Sequence, residues 1–472
     1  MGNHKKFVKF ENKIVFIGFG CVGQGVLPLL LRHIDISPSQ IHIITADTTG
    51  QIQAEKAHVS FSICPLTPKN FQQVLDENLA SGDYLLNLSI NVSSLALIEY
   101  CYQHDLLYLD ACLEPWLGGY TDTTLSLSAR SNYHAREQSL SLRKRLGGGP
   151  TAVLCHGANP GLVSHFTKQA LVNIARDTGI DFVLPQTREA WAALSRKLNI
   201  KVIQCAERDT QTARPFKLVN EFVNTWSIDG FIGEGLQPAE LGWGSHEKTE
   251  PPDASRHGYG CDAAIYLNNP GTRTLVRSWN PLTGPYQGFL ITHAESISIA
   301  DYFTVKTNHE LRYRPTVYYA YHPSDATVLS IHELSGRNFK EQDHARLLMN
   351  DIESGADALG MALMGHAKGF YWYGSILSIE EARDLAPYNN ATSLQVASGI
   401  LGGMVWAIEN PEAGIIEPEE MDFKRVLQVA SPYLGDITGQ YSNWTPLRNN
   451  LALYEDHLDT TDPWQFKNYR VV

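Results

Sequence analysis

The sequence predicts an α/β protein with an N-terminal doubly wound parallel sheet and a second α+β domain on an open mixed sheet. Three observations carry that expectation. A short apolar run ends in a glycine-rich turn and leads into an apolar helix. Strand and helix patterns then alternate to about residue 175. From about residue 180 the texture changes to short β-like stretches between Gly/Pro-rich loops. At 472 residues the chain exceeds one ordinary domain of about 150 residues. The expected divisions are 1–160 for the parallel-sheet domain, 161–375 for the second domain, and 376–472 for a helical segment that partly returns to the first.

Lys13-Ile-Val-Phe-Ile17 is nearly continuous in apolar character, as a strand buried on both faces requires. After Gly18-Phe-Gly20-Cys21-Val22-Gly23, the residues Val26, Leu27, Leu29, Leu30 and Leu31 mark a broad apolar helix stripe. Ile41-His-Ile-Ile44 reads as a second buried strand, stopping just before Asp47. Tyr84 to Leu88 reads as a strand, 92–104 as a helix, and Leu106 to Leu109 as a strand leading to Asp110 and Glu114-Pro-Trp116. A polar helix over about 131–145 is closed by Gly147-Gly-Gly-Pro150, and Thr151 to Leu154 forms a further strand. Asn159-Pro160-Gly161 opens an apolar-periodic helix to about residue 175, with Pro160 at an early position where its missing N–H is harmless. Further on, the stretches beginning at Lys201, Ala263, Gly288 and Arg314 read as strands, Gly288 to Thr292 among them. Residues 376–408 read as helical.

Composition narrows the function. Apolar residues make up 43% and charged residues 19%, which excludes a disordered chain. Lys plus Arg is 38 and Asp plus Glu is 50, a net charge of −12. That balance argues against a nucleic-acid partner, which demands a basic face, and permits a cationic small molecule. The seven cysteines form no Cys-x-x-Cys pair, and His332-Glu333 and Cys155-His156 lack companion ligands, so no metal is expected. No signal peptide and no run of 18 apolar residues is evident. The expectation is a cytoplasmic protein with no membrane partner.

Spacing in the first turn has a physical purpose. One glycine permits the tight turn, one lets the backbone approach a pyrophosphate, and one brings the helix close to the strand. The helix N-terminus then offers free N–H groups to the anion. Asp47, at the end of the second strand, is placed to accept from both ribose hydroxyls, which favours NAD over NADP because a 2′-phosphate would be repelled.

Ligands of such sheets bind outside the carboxyl ends of the strands, where Asn87, Asn91, Glu114 and Asn159 fall. Beyond them lie Glu207, Trp226, Glu234 and His293-Ala-Glu295. Carboxylates beside an indole face suit a protonated amine, and an amine to be oxidised must first lose a proton to a base. Spacing alone does not select these residues from 50 acids. Tyr302-x-x-x-Lys306 imitates the Tyr/Lys pair of short-chain dehydrogenases but sits far from the glycine-rich turn.

Gly18 to Gly23, Glu114-Pro-Trp116, His156-Gly-Ala-Asn-Pro-Gly161, and Thr225-Trp226 through Glu234 resemble the bacterial homospermidine synthases. The resemblance runs over essentially the whole chain, and Asn159 to His165 is its most distinctive segment. It implies kinship with saccharopine dehydrogenase-like enzymes: a Rossmann domain, a mixed-sheet substrate and dimerisation domain, tightly held NAD, and a homodimer. The implied activity is NAD-dependent aminobutyl transfer from putrescine (or spermidine) to putrescine, with the cofactor regenerated. The implied catalytic residues are Glu207, His293, Trp226 and Glu234. Polyamine contacts would come from Glu114, Asn159, Trp226, Glu207, Glu234, Glu295 and Asp357. NAD would be held by Gly18, Gly20, Cys21, Val22, Gly23, Asp47, Asn87, Asn91 and Asn159. Two other readings stay open. A net oxidoreductase on an amino acid would need Arg or Lys for α-carboxylates, where the matched positions are acidic; a non-catalytic NAD sensor would turn nothing over.

Overall fold

The computed structural model describes residues 4–451 and 458–471. Seven parallel strands form the first sheet, in the order Ile415–Ile416, Ala152–Val153, Leu107–Asp110, Tyr84–Asn87, Ile14–Ile17, Ile41–Thr45 and Ser60–Ile63. The chain winds outward in both directions from Ile14–Ile17, so a crevice opens between that strand and Tyr84–Asn87. Alternation decides which helix each residue meets. Ile14 and Phe16 join the core that holds Val26, Leu30, Leu401 and Met404, whereas Val15 and Ile17 pack with Leu97 and Ile98 on the opposite side. Helices on both faces are why all four residues of this strand are apolar.

The second sheet is mixed and 11-stranded. Its middle strand, Val202–Asp209, pairs in parallel with Thr316–His322 and antiparallel with Ala356–His366. Pro238–Gly242, Ala264–Pro270 and Ala254–Arg256 extend the sheet on one side, and Gly369–Ser378 and Asp436–Ser442 extend it on the other.

The last fifth of the chain divides between the two sheets. Helix Ala391–Glu409 packs on helix Cys21–His33, and Ile415–Ile416 adds an edge to the first sheet. Asp436–Ser442 and Arg470–Val471 belong to the second sheet, so the segment expected to be helical also supplies strands. Ala391–Glu409 is long and apolar enough to cross a membrane, but 89% of its apolar window is buried within the protein. A Cβ at Gly399 would lie 2.1 Å from the Gly157 carbonyl oxygen, which shows how closely this helix approaches the backbone beside the Asn159 turn.

Three boundaries differ from expectation. Helix Leu162–Asp177 starts after Pro160, because Gly161 caps it with a φ of 125° and Asn159-Pro160, a cis bond, forms the preceding turn. The strand expected at Gly288 to Thr292 spans Gly284–Phe289; residues 290–292 leave the sheet and deliver His293 to the start of helix Ala294–Tyr302. Residues 376–378 finish strand Gly369–Ser378, and the helices that follow are Ile379–Leu385 and Ala391–Glu409.

Candidate active site

The site grows from the middle strand of the second sheet. A period of two places Cys205, Glu207 and Asp209 on one face of Val202–Asp209. In the neighbouring strands Tyr319 lies opposite Cys205, Tyr321 opposite Glu207, and Asp357 opposite Asp209. One patch of sheet therefore carries three carboxyl groups beside two tyrosines, stacked 5.1 Å apart. Glu207 Oε2 accepts from the Tyr319 hydroxyl at 2.6 Å and from Asn159 Nδ2 at 2.9 Å. Asp209 accepts from the Thr225 hydroxyl at 2.8 Å and from the Gln211 backbone N–H at 2.8 Å. Asp357 accepts from Thr392, and its Oδ1 is buried with no hydrogen-bond partner among the described residues.

Such crowding controls protonation. Burial lifts Glu207 to about 7, and it raises Asp209 as well. Asp357 is pushed well above the usual carboxylate range, first by burial and then by the charges of Glu207 and Asp209. Three buried carboxyls cannot all ionise unless a cation joins them.

His293 bridges two more carboxylates, with Nε2 3.0 Å from Glu234 Oε2 and Nδ1 3.2 Å from Glu295 Oε1. Its ring lies 4.5 Å from that of Tyr319. Burial opposes charge on His293, but Glu295 and Glu234 outweigh it and hold the imidazole well above its ordinary value, so it is an imidazolium at neutral pH. Glu114 accepts from the Asn91 backbone N–H at 3.3 Å; burial, helped by the charge of Glu234, brings it to about 7. Half-buried Trp226 donates its indole N–H to the Tyr321 hydroxyl at 3.2 Å.

The glycine-rich turn meets this chamber at the crevice. Gly18 has a φ of 86°, and a Cβ there would sit 2.8 Å from the Ser89 backbone across the switch point. Gly20 caps helix Cys21–His33 and has nothing within 4 Å of where its Cβ would be. No acid occupies the first turn of that helix, so its N–H groups stay open to an anion. Burial lifts the Cys21 thiol to about 11, which keeps it neutral, and it reaches the backbone at Ser227, next to Trp226. A Cβ on Gly23 would press on the Phe19 ring at 3.0 Å. Asp47 is exposed beyond strand Ile41–Thr45, and the hydroxyl and backbone N–H of Thr49 hold it below the usual carboxylate range. Asn87 is otherwise engaged: its carboxamide accepts from Ser89 Oγ at 2.6 Å and donates to the Tyr108 hydroxyl at 3.2 Å, bracing the crevice wall. This set fits a dinucleotide, with a glycine cradle, an open helix end and an ionised carboxylate at the second strand.

Comparison with known proteins decides the family. Residues 14–153 match the saccharopine dehydrogenase NADP binding domain, and residues 157–441 match the saccharopine dehydrogenase C-terminal domain. The homospermidine synthase of Blastochloris viridis is 49% identical, over 98% of this chain and 98% of that protein. The chain belongs to the homospermidine synthase family. The enzyme from Mesorhizobium japonicum is 47% identical over 99% of this chain and 98% of its own. A crystal structure of homospermidine synthase from Legionella pneumophila in complex with NAD superposes with a TM-score of 0.92 at 49% identity, covering 98% of both chains. Saccharopine dehydrogenase from Saccharomyces cerevisiae shares the fold, with a TM-score of 0.52 at 9% identity.

Within this homospermidine synthase frame, one bonded and stacked network joins Asn159, Glu207, Tyr319, His293, Glu234 and Glu295. Asp357 and Asp209 border it through Glu207, Trp226 joins through Tyr321, and Glu114 feels the charge of Glu234. Sequence reasoning missed Tyr319, Tyr321, Asp209 and Thr392. Period two along 202–209 and 316–322 is the signal that would have placed the first three beside Glu207. Nothing local marks Thr392, which arrives from a distant helix.

Proposed function

We propose that this chain transfers an aminobutyl group from putrescine, or spermidine, to a second putrescine, forming homospermidine and ammonia. The observation that carries this reading is the acidity of the chamber. Among the described residues, His293 is the only ion-pair partner of Glu207, Asp209, Asp357, Glu234 or Glu295. An α-carboxylate would be repelled there, and an alkyl diammonium ion supplies the positive charge that these groups lack. NAD is the cofactor of this reading, supported by the fit of the crevice and by the NAD complex of the Legionella relative. When bound, the nicotinamide would take a hydride from the amine-bearing carbon and return it after the second amine has displaced ammonia.

The residues divide the proton work by environment. Glu207, ionised above a pH of about 7, takes the proton that the donor amine must lose, and Tyr319 and Asn159 fix its orientation. His293, held as imidazolium by Glu234 and Glu295, gives a proton to the departing amine. Glu114 and Glu234 bind the remote ammonium groups, which positions the reacting carbon. Burial of Glu207, His293 and Asp357 within the protein limits the water that reaches the imine. In this reading 1–160 holds the dinucleotide, 161–375 the diamine, and 376–472 ties the two together. The homodimer implied by the resemblance belongs to the same proposal. So does a cytoplasmic setting, with which seven free cysteines are consistent.

Two substitutions probe the assignment. Trp226→Ala removes the cation–π face, worth about 0.5–2 kcal/mol or more, so kcat/KM for putrescine is expected to fall roughly two- to thirtyfold or further while NAD affinity holds. Equal kinetics in the variant would take Trp226 out of the mechanism. Asp47→Ala removes the carboxylate that repels a 2′-phosphate. The ratio of NAD to NADP affinity, read by calorimetry, is expected to fall at least about tenfold; an unchanged ratio would mean that Asp47 does not face the ribose. Incubating the protein with putrescine and NAD separates the broad alternatives. A synthase consumes putrescine and releases ammonia with no lasting NADH absorbance, an oxidoreductase accumulates NADH, and a sensor does neither.

A further inference from the structure

Behind His293 lies a small cavity of about 10 Å³, lined by Glu295, Ser298, Ser164, Glu419, Pro160 and Cys155 among others. That space is about the least that holds one water molecule. Two carboxyl groups on its wall are each half satisfied. Glu295 Oε1 faces His293, and Glu295 Oε2 is buried with no hydrogen-bond partner among the described residues. Glu419 Oε1 accepts from Ser164 Oγ at 2.7 Å and Ser298 Oγ at 2.9 Å, and Glu419 Oε2 is likewise buried with no partner among the described residues. A buried carboxylate oxygen left without a donor costs about 1–3 kcal/mol, and a water has one O–H for each of the two.

We propose that one enclosed water joins Glu295 Oε2 to Glu419 Oε2, making Glu419 a positioning residue that acts on His293 through Glu295. This rests on the proton role given above to His293, and it extends the network beyond the substrate chamber. An ionised Glu419 adds its charge to that of Glu295 and holds the proton on His293 more firmly; a neutral Glu419 does not. Burial places the titration of Glu419 at about 7. Other charged and titratable groups face it from every side. Its own segment brings Glu417, Glu420 and Asp422. Helix Leu162–Asp177 brings Lys168, whose ammonium donates to the carbonyls of Glu419 and Met421 and lies 5.3 Å from the rings of both Trp191 and Tyr302. Helix Asn132–Leu146 brings Arg136, paired with Glu417 and Asp301, and Cys155 lines the cavity as a neutral thiol. These groups are present in the variant as in the parent, so the Glu419 charge is isolated by exchanging that residue alone.

The test is a crystal structure that resolves ordered water, together with the pH profile of kcat for Glu419→Gln. The expected result is a single water within hydrogen-bond reach of both Oε2 atoms, and an alkaline limb that moves down by about half a pH unit in the variant. Ser298→Ala, which makes ionisation of Glu419 harder by removing a donor, is expected to move the limb the same way by less. It serves also should Glu419→Gln fail to fold. A dry cavity, or variant profiles that overlay the parent, would overturn the inference. Failure of the parent to use putrescine would instead remove the functional reading, and the density between Glu295 and Glu419 would still decide the linkage.

Discussion

Glu207→Gln is expected to lower kcat about a hundredfold to ten-thousandfold, the range for loss of a general base. The substitution keeps shape and hydrogen bonds, because both Tyr319 and Asn159 donate to one oxygen that an amide also provides. What it removes is the capacity to take a proton and to balance an ammonium. The pH profile distinguishes this from damage. The parent's activity is expected to rise through about pH 7 as the carboxyl ionises, and the variant is expected to lack that limb. Stability moves the opposite way from activity. A carboxyl whose folded value is raised loses its proton first in the unfolded chain, so the parent loses stability as pH climbs from about 4 toward 7. The variant is spared that loss and relieves Asp209 and Asp357 of a neighbouring charge. Its Tm should match or exceed the parent's at pH 7. Unreduced turnover, or a lower Tm with a normal pH profile, would place the base elsewhere.

Gly18→Ala is expected to weaken NAD about a hundredfold. Alanine at a φ of 86° costs roughly 1–2 kcal/mol, and its Cβ would lie 2.8 Å from the Ser89 backbone, so the turn and the strand end must separate where the crevice opens. Gly20→Ala is the companion measurement. Its Cβ meets nothing within 4 Å among the described residues, so the fold and Tm should be unchanged, and any loss of NAD affinity reports the ligand's own approach to that backbone. Calorimetric titration of both variants with NAD checks the pair. Full affinity in Gly18→Ala would mean the dinucleotide lies away from the turn.

Legibility in the sequence followed the range of the physics. Ile14 to Gly23 is legible because strand burial, turn geometry and helix start are local, and the structure places them in that order. The second domain was legible only in class. The short runs beginning at Lys201 and Arg314 overlap only the first parts of strands Val202–Asp209 and Thr316–His322, whose later polar residues Glu207, Asp209 and His322 hide them from an apolar-run search. His293 and Glu295 flank a helix start with no distinctive pattern, and what makes them notable is Glu234, which comes from another helix. Glu419 is further still, on a 3₁₀ turn that reaches the site only through packing. Single-residue spacing cannot encode contacts between segments so far apart in the chain. The resemblance to homospermidine synthases supplied the selection of Glu207, Glu234, His293 and Glu295.

A chamber rich in carboxyl groups that holds diamine and dinucleotide together through a complete cycle leaves an isotopic signature in its product. Mass spectrometry of product made from a mixture of fully carbon-deuterated and unlabelled putrescine, with excess unlabelled NADH in solution, tests it most directly. Retention through the cycle predicts triamines whose aminobutyl halves keep every deuterium or carry none. Halves that come back one deuterium short, or no triamine at all, would contradict the account.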